Sequence, residues 1–132
     1  MASESRQLSV PIHRPAEQVY RYVTDPANLP AWAAGLGGSI ERVGDDWIAD
    51  SPMGRITVCF VPKNEFGVAD HDVTLPTGET VRNPMRVVPD GTDDCELVFT
   101  VRRRPEQSAA EFEADCAAVQ RDLATLKQLL EG

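Results

Sequence analysis

The sequence has no apolar run approaching the ~20 residues of a membrane span. Its first residues, Met1-Ala2-Ser3-Glu4-Ser5, lack the apolar core of a signal peptide. Cationic residues are outnumbered, 13 Lys and Arg against 21 Asp and Glu, for a formal net charge of −8. That balance opposes binding to nucleic acid and to anionic lipid headgroups, both of which attract Lys and Arg. The one dense basic run, Arg102-Arg103-Arg104, stands at a strand end before Pro105 and reads as a solvated edge. Cysteine is scarce: Cys59, Cys95 and Cys116 are an odd set with no Cys-x-x-Cys pair. That pattern points to free thiols in a reducing compartment, each lying among apolar neighbours as buried inert thiols do. Two histidines, His13 and His71, leave little material for a catalytic triad. Gly35-Leu36-Gly37-Gly38 precedes a strand and no Lys-Ser/Thr follows it, so it is not a phosphate loop. The expectation is a soluble cytoplasmic protein with no membrane insertion, no nucleic acid partner, no metal and no cofactor.

What is present is an ordinary globular composition, 42 % hydrophobic and 26 % charged, without repeats, linkers or biased tracts. The 132 residues fit a single domain with its core at about 7–131, a size that buries roughly 65–70 % of the unfolded surface. Gln7 to Ile12 reads as an opening strand, stopped at Arg14-Pro15. Pro15 suits the first helical position, and Ala16, Val19 and Val23 repeat at helical spacing. Asp25 can cap a second short helix with Pro26 at its first position, running to about Ala34. Five turn clusters then follow about ten residues apart: Val43-Asp46, Ser51-Gly54, Val61-Asn64, Leu75-Gly78 and Pro89-Thr92. Runs of period-two alternation between them, such as Ile56, Val58 and Phe60 or Leu97, Phe99 and Val101, give six further strands in a meander. Pro84 interrupts one of these runs and predicts a bulge or an edge there.

Ser108, with Glu111 three residues on, forms a capping-box signature. Phe112, Cys116, Val119, Leu123, Leu126 and Leu130 then draw one apolar stripe along a helix of about 22 residues, some 33 Å long. One stripe needs one apolar partner, and the inner face of the sheet supplies it; a seam in a helical homodimer is the alternative. The fold class is therefore α+β: strand, two short helices, six strands, long helix.

Asp70-His71-Asp72 has the look of a metal cluster, but strand neighbours alternate faces, so three consecutive residues cannot converge on one ion. His71 shares parity with Ala69, Val73 and Leu75 and faces inward, as a core histidine bonded to a backbone carbonyl or as a group that orients a ligand or moves a proton. Asp72, Arg82, Arg86, Glu96 and Arg102 fall on the other parity, where cross-strand pairing on the solvent face accounts for them. His13, before Pro15, is placed for a solvated or capping role, and Asp115 and Asp122 flank the helical stripe at its solvent boundary.

The order of elements resembles the START-like, helix-grip superfamily (SRPBCC), which includes polyketide cyclases and lipid-transfer domains. The local resemblance is strongest in the opening segment: Pro15 before a hydrophobic helix, then Asp25-Pro26, then Trp32 after the second short helix. The resemblance implies a seven-stranded antiparallel sheet wrapped around the long C-terminal helix, with a cavity between them whose mouth lies near the short helices. Its lining would be Ile56, Val58, Phe60, His71, Asn83, Met85, Phe99, Phe112 and Val119, with Trp32 at the mouth. A dry void of roughly 300 Å³ would cost on the order of 7 kcal/mol, so ligand, water or bulky side chains must fill it. Eight aromatics, Tyr20, Tyr22, Trp32, Trp47, Phe60, Phe66, Phe99 and Phe112, can partly do the last. Three functions follow: carriage of an apolar or aromatic small molecule, cyclase chemistry with His71 as the catalytic proton shuttle, or a protein-interaction module with a closed interior.

Overall fold

The computed structural model describes residues 4–34, 39–52 and 54–132. The chain runs β1 (Ser5–Ile12), α1 (Ala16–Val23), a 3-10 turn (Pro26–Asn28), α2 (Leu29–Trp32), β2 (Ile40–Val43), β3 (Asp46–Ser51) and β4 (Gly54–Phe60). It continues through β5 (His71–Thr74), β6 (Thr80–Asn83), β7 (Met85–Asp90) and β8 (Asp94–Arg102) to α3 (Ala109–Glu131). The Gly35–Gly38 segment and Met53 lie outside the described residues. Pro15 stands one position earlier than its sequence signal, as the cap residue of α1. Asp25 caps the 3-10 turn, accepting the Ala27 N–H at 3.1 Å.

Every strand pairing is antiparallel, but the expected single sheet of seven strands is two sheets of eight. Their orders are β1-β8-β7 and β2-β3-β4-β5-β6. The cause is Pro84, which has no N–H to give a ladder and divides one expected strand into β6 and β7. The segment before β5 closes the seam: Ala69 N–H donates to the Met85 carbonyl at 2.8 Å, and Val87 N–H to the Gly67 carbonyl at 2.9 Å. Gly67 has φ +73°, and a Cβ there would stand 2.2 Å from the Val87 oxygen, so only glycine fits this approach.

α3 begins as its sequence signature requires. Ser108 Oγ accepts the Glu111 N–H at 3.1 Å, and the Glu111 carboxylate accepts the Ser108 N–H at 2.9 Å. The helix runs in the same direction as β1, tied at its start by Arg6 to Glu113 at 2.5 and 2.8 Å and near its end by Lys127 Nζ to the Pro11 carbonyl at 2.7 Å. Its stripe buries Phe112, Cys116, Leu123 and Leu126 on the side that packs along β1, β8 and α2, whose own buried residues include Val10, Ile12, Leu97, Phe99, Leu29 and Trp32. Each such side chain contributes about 1.5–3 kcal/mol on leaving water. Among the described residues, no helix is long and apolar enough to cross a membrane.

Two interior assignments from the sequence are corrected. Cys59 is exposed, because it alternates with the buried Ile56 and Val58 and so takes the outer face of β4; Cys95 and Cys116 are buried. Phe66 is 82 % exposed and fills nothing. Asn64 organises the loop that carries it: its carbonyl accepts the Phe66 and Val68 N–H groups at 3.0 and 3.1 Å, and its amide donates to the Val68 carbonyl at 2.9 Å. The loop is thereby held as a compact turn with the Phe66 ring outside it.

Candidate functional site

The register of the five-stranded sheet sets the inward rows. Phe60 pairs with His71, and His71 with Asn83; Val58 pairs with Trp47 and Val73, and Val73 with Val81; Ile56 pairs with Ala49. Ile56, Val58 and Ala49 are fully buried, yet Trp47, Phe60, Val73, Val81 and Asn83 on the same face are only half-buried. The geometry explains the difference. α3 packs along β1, β8 and α2, so the inner face of β3–β6 lies beyond its closest cover. Val119 of α3 is half-buried as well, so that sheet face and this side of the helix are both only partly covered.

His71 lies on this inward face, 6 % exposed. Its ring lies 4.7 Å from that of Phe60 with a 30° tilt, and 6.0 Å from Phe99, edge-on at 67°. Nδ1 stands 3.1 Å from the Ala69 carbonyl, which can only accept, so Nδ1 carries the proton and Nε2 is left as an acceptor. Burial pushes the imidazole pKa below its ordinary value, more than the Ala69 bond and the charges of Asp70 and Asp72 raise it, so the ring is neutral at pH 7. His71 is thus a core histidine bonded to a backbone carbonyl, and its Nε2 makes no bond to a described residue.

The flanking carboxylates turn the other way, as strand alternation demands. Asp72 pairs with Arg82 at 2.7 and 3.0 Å on the outer face. Asp70 is buried at the seam, where one oxygen accepts the Met85 N–H at 2.9 Å and both accept from Arg86 at 3.1 Å. Burial alone would raise its pKa, but those donors hold it below the usual carboxylate range. Asp70 is thus a structural acceptor standing where a ladder carbonyl would, a role its sequence neighbourhood does not reveal.

The remaining predicted lining residues divide. Met85, Phe99 and Phe112 are buried where β7, β8 and α3 meet, with the Arg6 guanidinium 5.3 Å from the Phe112 ring centre on the outside. Trp32 is 5 % exposed on α2, and its Nε1–H is the one enclosed side-chain polar atom without a partner among the described residues. Beside α2, Asp122 is half-buried; desolvation raises its pKa against the Ala34 N–H that it accepts at 3.2 Å. Asp115 accepts from the Gln107 amide, and His13 is an exposed partner of Asp94, so neither belongs to the inward rows. Trp47, Val73 and Val81 share the inward rows although sequence reading did not place them in the lining. Their signal was their shared parity with Val58 and His71. A separate groove of about 590 Å³, lined by Pro15, Glu17, Gln18, Arg21, Tyr22 and Leu130, lies on the outer side of α1. It is open to solvent and charged along its walls, and it contains none of the inward rows.

A family model described as polyketide cyclase / dehydrase and lipid transport matches residues 5–131. No curated protein matches. Among solved structures, a START superfamily protein from Mycobacterium smegmatis superposes with a TM-score of 0.67 at 15 % identity, over 96 % of this chain and 97 % of that one. A norcoclaurine synthase from Thalictrum flavum, bound to a transition-state analogue, gives 0.64 at 16 % identity over 97 % and 94 %. The di-domain ARO/CYC protein BexL gives 0.68 at 15 % identity over 95 % of this chain and 45 % of its own. At such identities the likeness is one of fold: α+β, antiparallel, with a long C-terminal helix.

Proposed function

We propose, from the premise that the chain belongs to the polyketide cyclase / dehydrase and lipid-transport family, that it binds a small apolar or aromatic molecule in the cleft between β3–β6 and α3. The observation that supports this reading is the half-burial of Trp47, Phe60, Val73 and Val81, four inward apolar side chains that a closed core would cover. Apolar surface left open beside a well-packed core is what a ligand covers at little cost in reorganisation. Ile56, Val58, Phe60, His71, Asn83 and Val119 line the seat, with Met85, Phe99 and Phe112 as its floor and Trp32 closing one side. The same half-burial weighs against an interaction module with a sealed interior.

A second reading has its own observation. His71 is neutral, fixed in orientation by Ala69 and flanked by aromatic rings, with Nε2 free. A folded, activated ketone held against that nitrogen would find a positioned proton acceptor, as cyclase chemistry requires. Native mass spectrometry of the purified protein, followed by organic extraction, tests the first reading. An apolar compound should co-purify, or thermal stability should rise with members of a lipid and polyphenol panel. No bound compound and no shift across that panel would sink it. Loss of turnover in His71→Ala with an unchanged melting profile is the outcome that the cyclase reading requires.

A further inference from the structure

We propose that the outer face of the β1-β8-β7 sheet, at its β7 margin, docks a protein segment carrying a bulky apolar side chain next to Arg or Lys, with Phe66 as the anchor. The surface lies on the side of the sheet away from α3, separate from the proposed ligand seat. Strand alternation sets one row on it: Val88 stands opposite Glu96, and Glu96 opposite Pro11. Their chain neighbours Val87, Cys95, Leu97 and Ile12 are buried on the other side. Val68 pairs with Arg86 and Gly67 with Val87, a register that brings Phe66 next to Val88. These two side chains are 82 % and 46 % exposed. A lone exposed apolar residue is ordinary, but here two stand together on an ordered seam. Three hydrogen bonds from Asn64 and the close approach of Gly67 to the Val87 oxygen fix the loop backbone. Little chain entropy is therefore lost when a partner covers the ring, which is how a rigid aromatic anchors an interface.

Charge selects the occupant. Glu65, beside Phe66 in the chain, and Glu96, opposite Val88, are exposed and have no partner among the described residues. At the end of the same hairpin Asp90 stands opposite Asp94, a like-charge pair that costs stability in the free protein. Asp94 is met by His13, whereas Asp90 has no partner among the described residues. Arg86, one row away, is already engaged by Asp70. A second copy of the chain would set the same acids against these, and an anionic lipid surface would be repelled in the same way. A basic segment relieves the repulsion while its apolar side chain covers Phe66 and Val88.

The test is selection of random dodecamer peptides, displayed on phage, against the native protein at pH 7 and low salt. The leading peptide is then synthesised and titrated by fluorescence anisotropy. Selected sequences should place Arg or Lys next to an aromatic or aliphatic residue. Phe66→Ala, which removes an exposed ring and leaves the fold intact, should weaken binding at least about thirtyfold. Glu96→Lys should weaken it about three- to tenfold, and Glu41→Lys, on β2 of the other sheet, should have no effect. Acidic consensus sequences, affinity that survives Phe66→Ala, or failure to select any peptide would overturn the proposal. Two further outcomes also overturn it by assigning the surface elsewhere. A dimer in sedimentation that Phe66→Ala abolishes would give it to a second copy, and flotation with phosphatidylcholine vesicles that the same variant abolishes would give it to a membrane.

Discussion

Replacing Asp70 with Ala removes one of the acceptors that tie the two sheets together. In the native protein its carboxylate takes the Met85 N–H at 2.9 Å and the Arg86 guanidinium at 3.1 Å, at a seam where Pro84 has already removed one ladder bond. The variant leaves the buried Met85 N–H without a partner, which costs about 1–3 kcal/mol. The Arg86 side chain is half exposed and can return to water, so its lost pairing adds at most about 1 kcal/mol. The sum is about 1–4 kcal/mol, or a fall in Tm of roughly 4–14 °C for a chain of this length. Asp70→Asn retains an oxygen for the Met85 N–H and should lose less than about 1 kcal/mol. Urea unfolding monitored by tryptophan fluorescence, with the m-value held constant, measures both variants. Asp70→Ala within about 0.5 kcal/mol of the native protein would refute the seam argument. So would an Asn variant as damaged as the Ala variant, since charge rather than the acceptor would then be responsible.

Gly67→Ala should destabilise by at least about 2 kcal/mol in thermal melts, because the residue has φ +73° and its Cβ would meet the Val87 oxygen; a neutral result would mean that the seam relaxes freely. Phe66→Ala should change stability by no more than about 0.5 kcal/mol, its ring being 82 % exposed, whereas Phe112→Ala should cost about 3–5 kcal/mol. Ser108→Ala removes the α3 cap and should cost about 1 kcal/mol by the same assay. His71 is neutral when folded and takes up a proton on unfolding, so the unfolded chain binds more protons and stability falls as the pH drops below about 6.5. His71→Phe should flatten that part of the stability–pH curve, and an unchanged slope there would mean that His71 is not desolvated. Asp70 has a lowered folded pKa, so its share of stability is present above about pH 4 and disappears as the pH falls through the folded value.

What could be read from the sequence was what local periodicity encodes. The Ser108–Glu111 box and the six-residue stripe located α3 and its buried face, since both signals lie within one helix. Strand alternation was enough to aim His71 inward and Asp72 outward. Alternation could also have exposed Cys59, whose neighbours Ile56 and Val58 take the opposite face; apolar neighbours in sequence misled there. The division at Pro84 was signalled, but its repair was not. The Asp70 carboxylate reaches Met85 and Arg86 across fifteen and sixteen residues, and no local pattern records such a contact. The same holds for the partly uncovered sheet face, which depends on where α3 comes to rest, and for the unpartnered Trp32 N–H, which depends on what does not surround it.

The most direct test of a ligand seated between sheet and helix is a nuclear Overhauser experiment on methyl-labelled protein with 2-naphthol. The predicted result is contact between naphthol protons and the methyl groups of Val58, Val73 and Val81. Contacts confined to Leu130, in the groove beside α1, would contradict it.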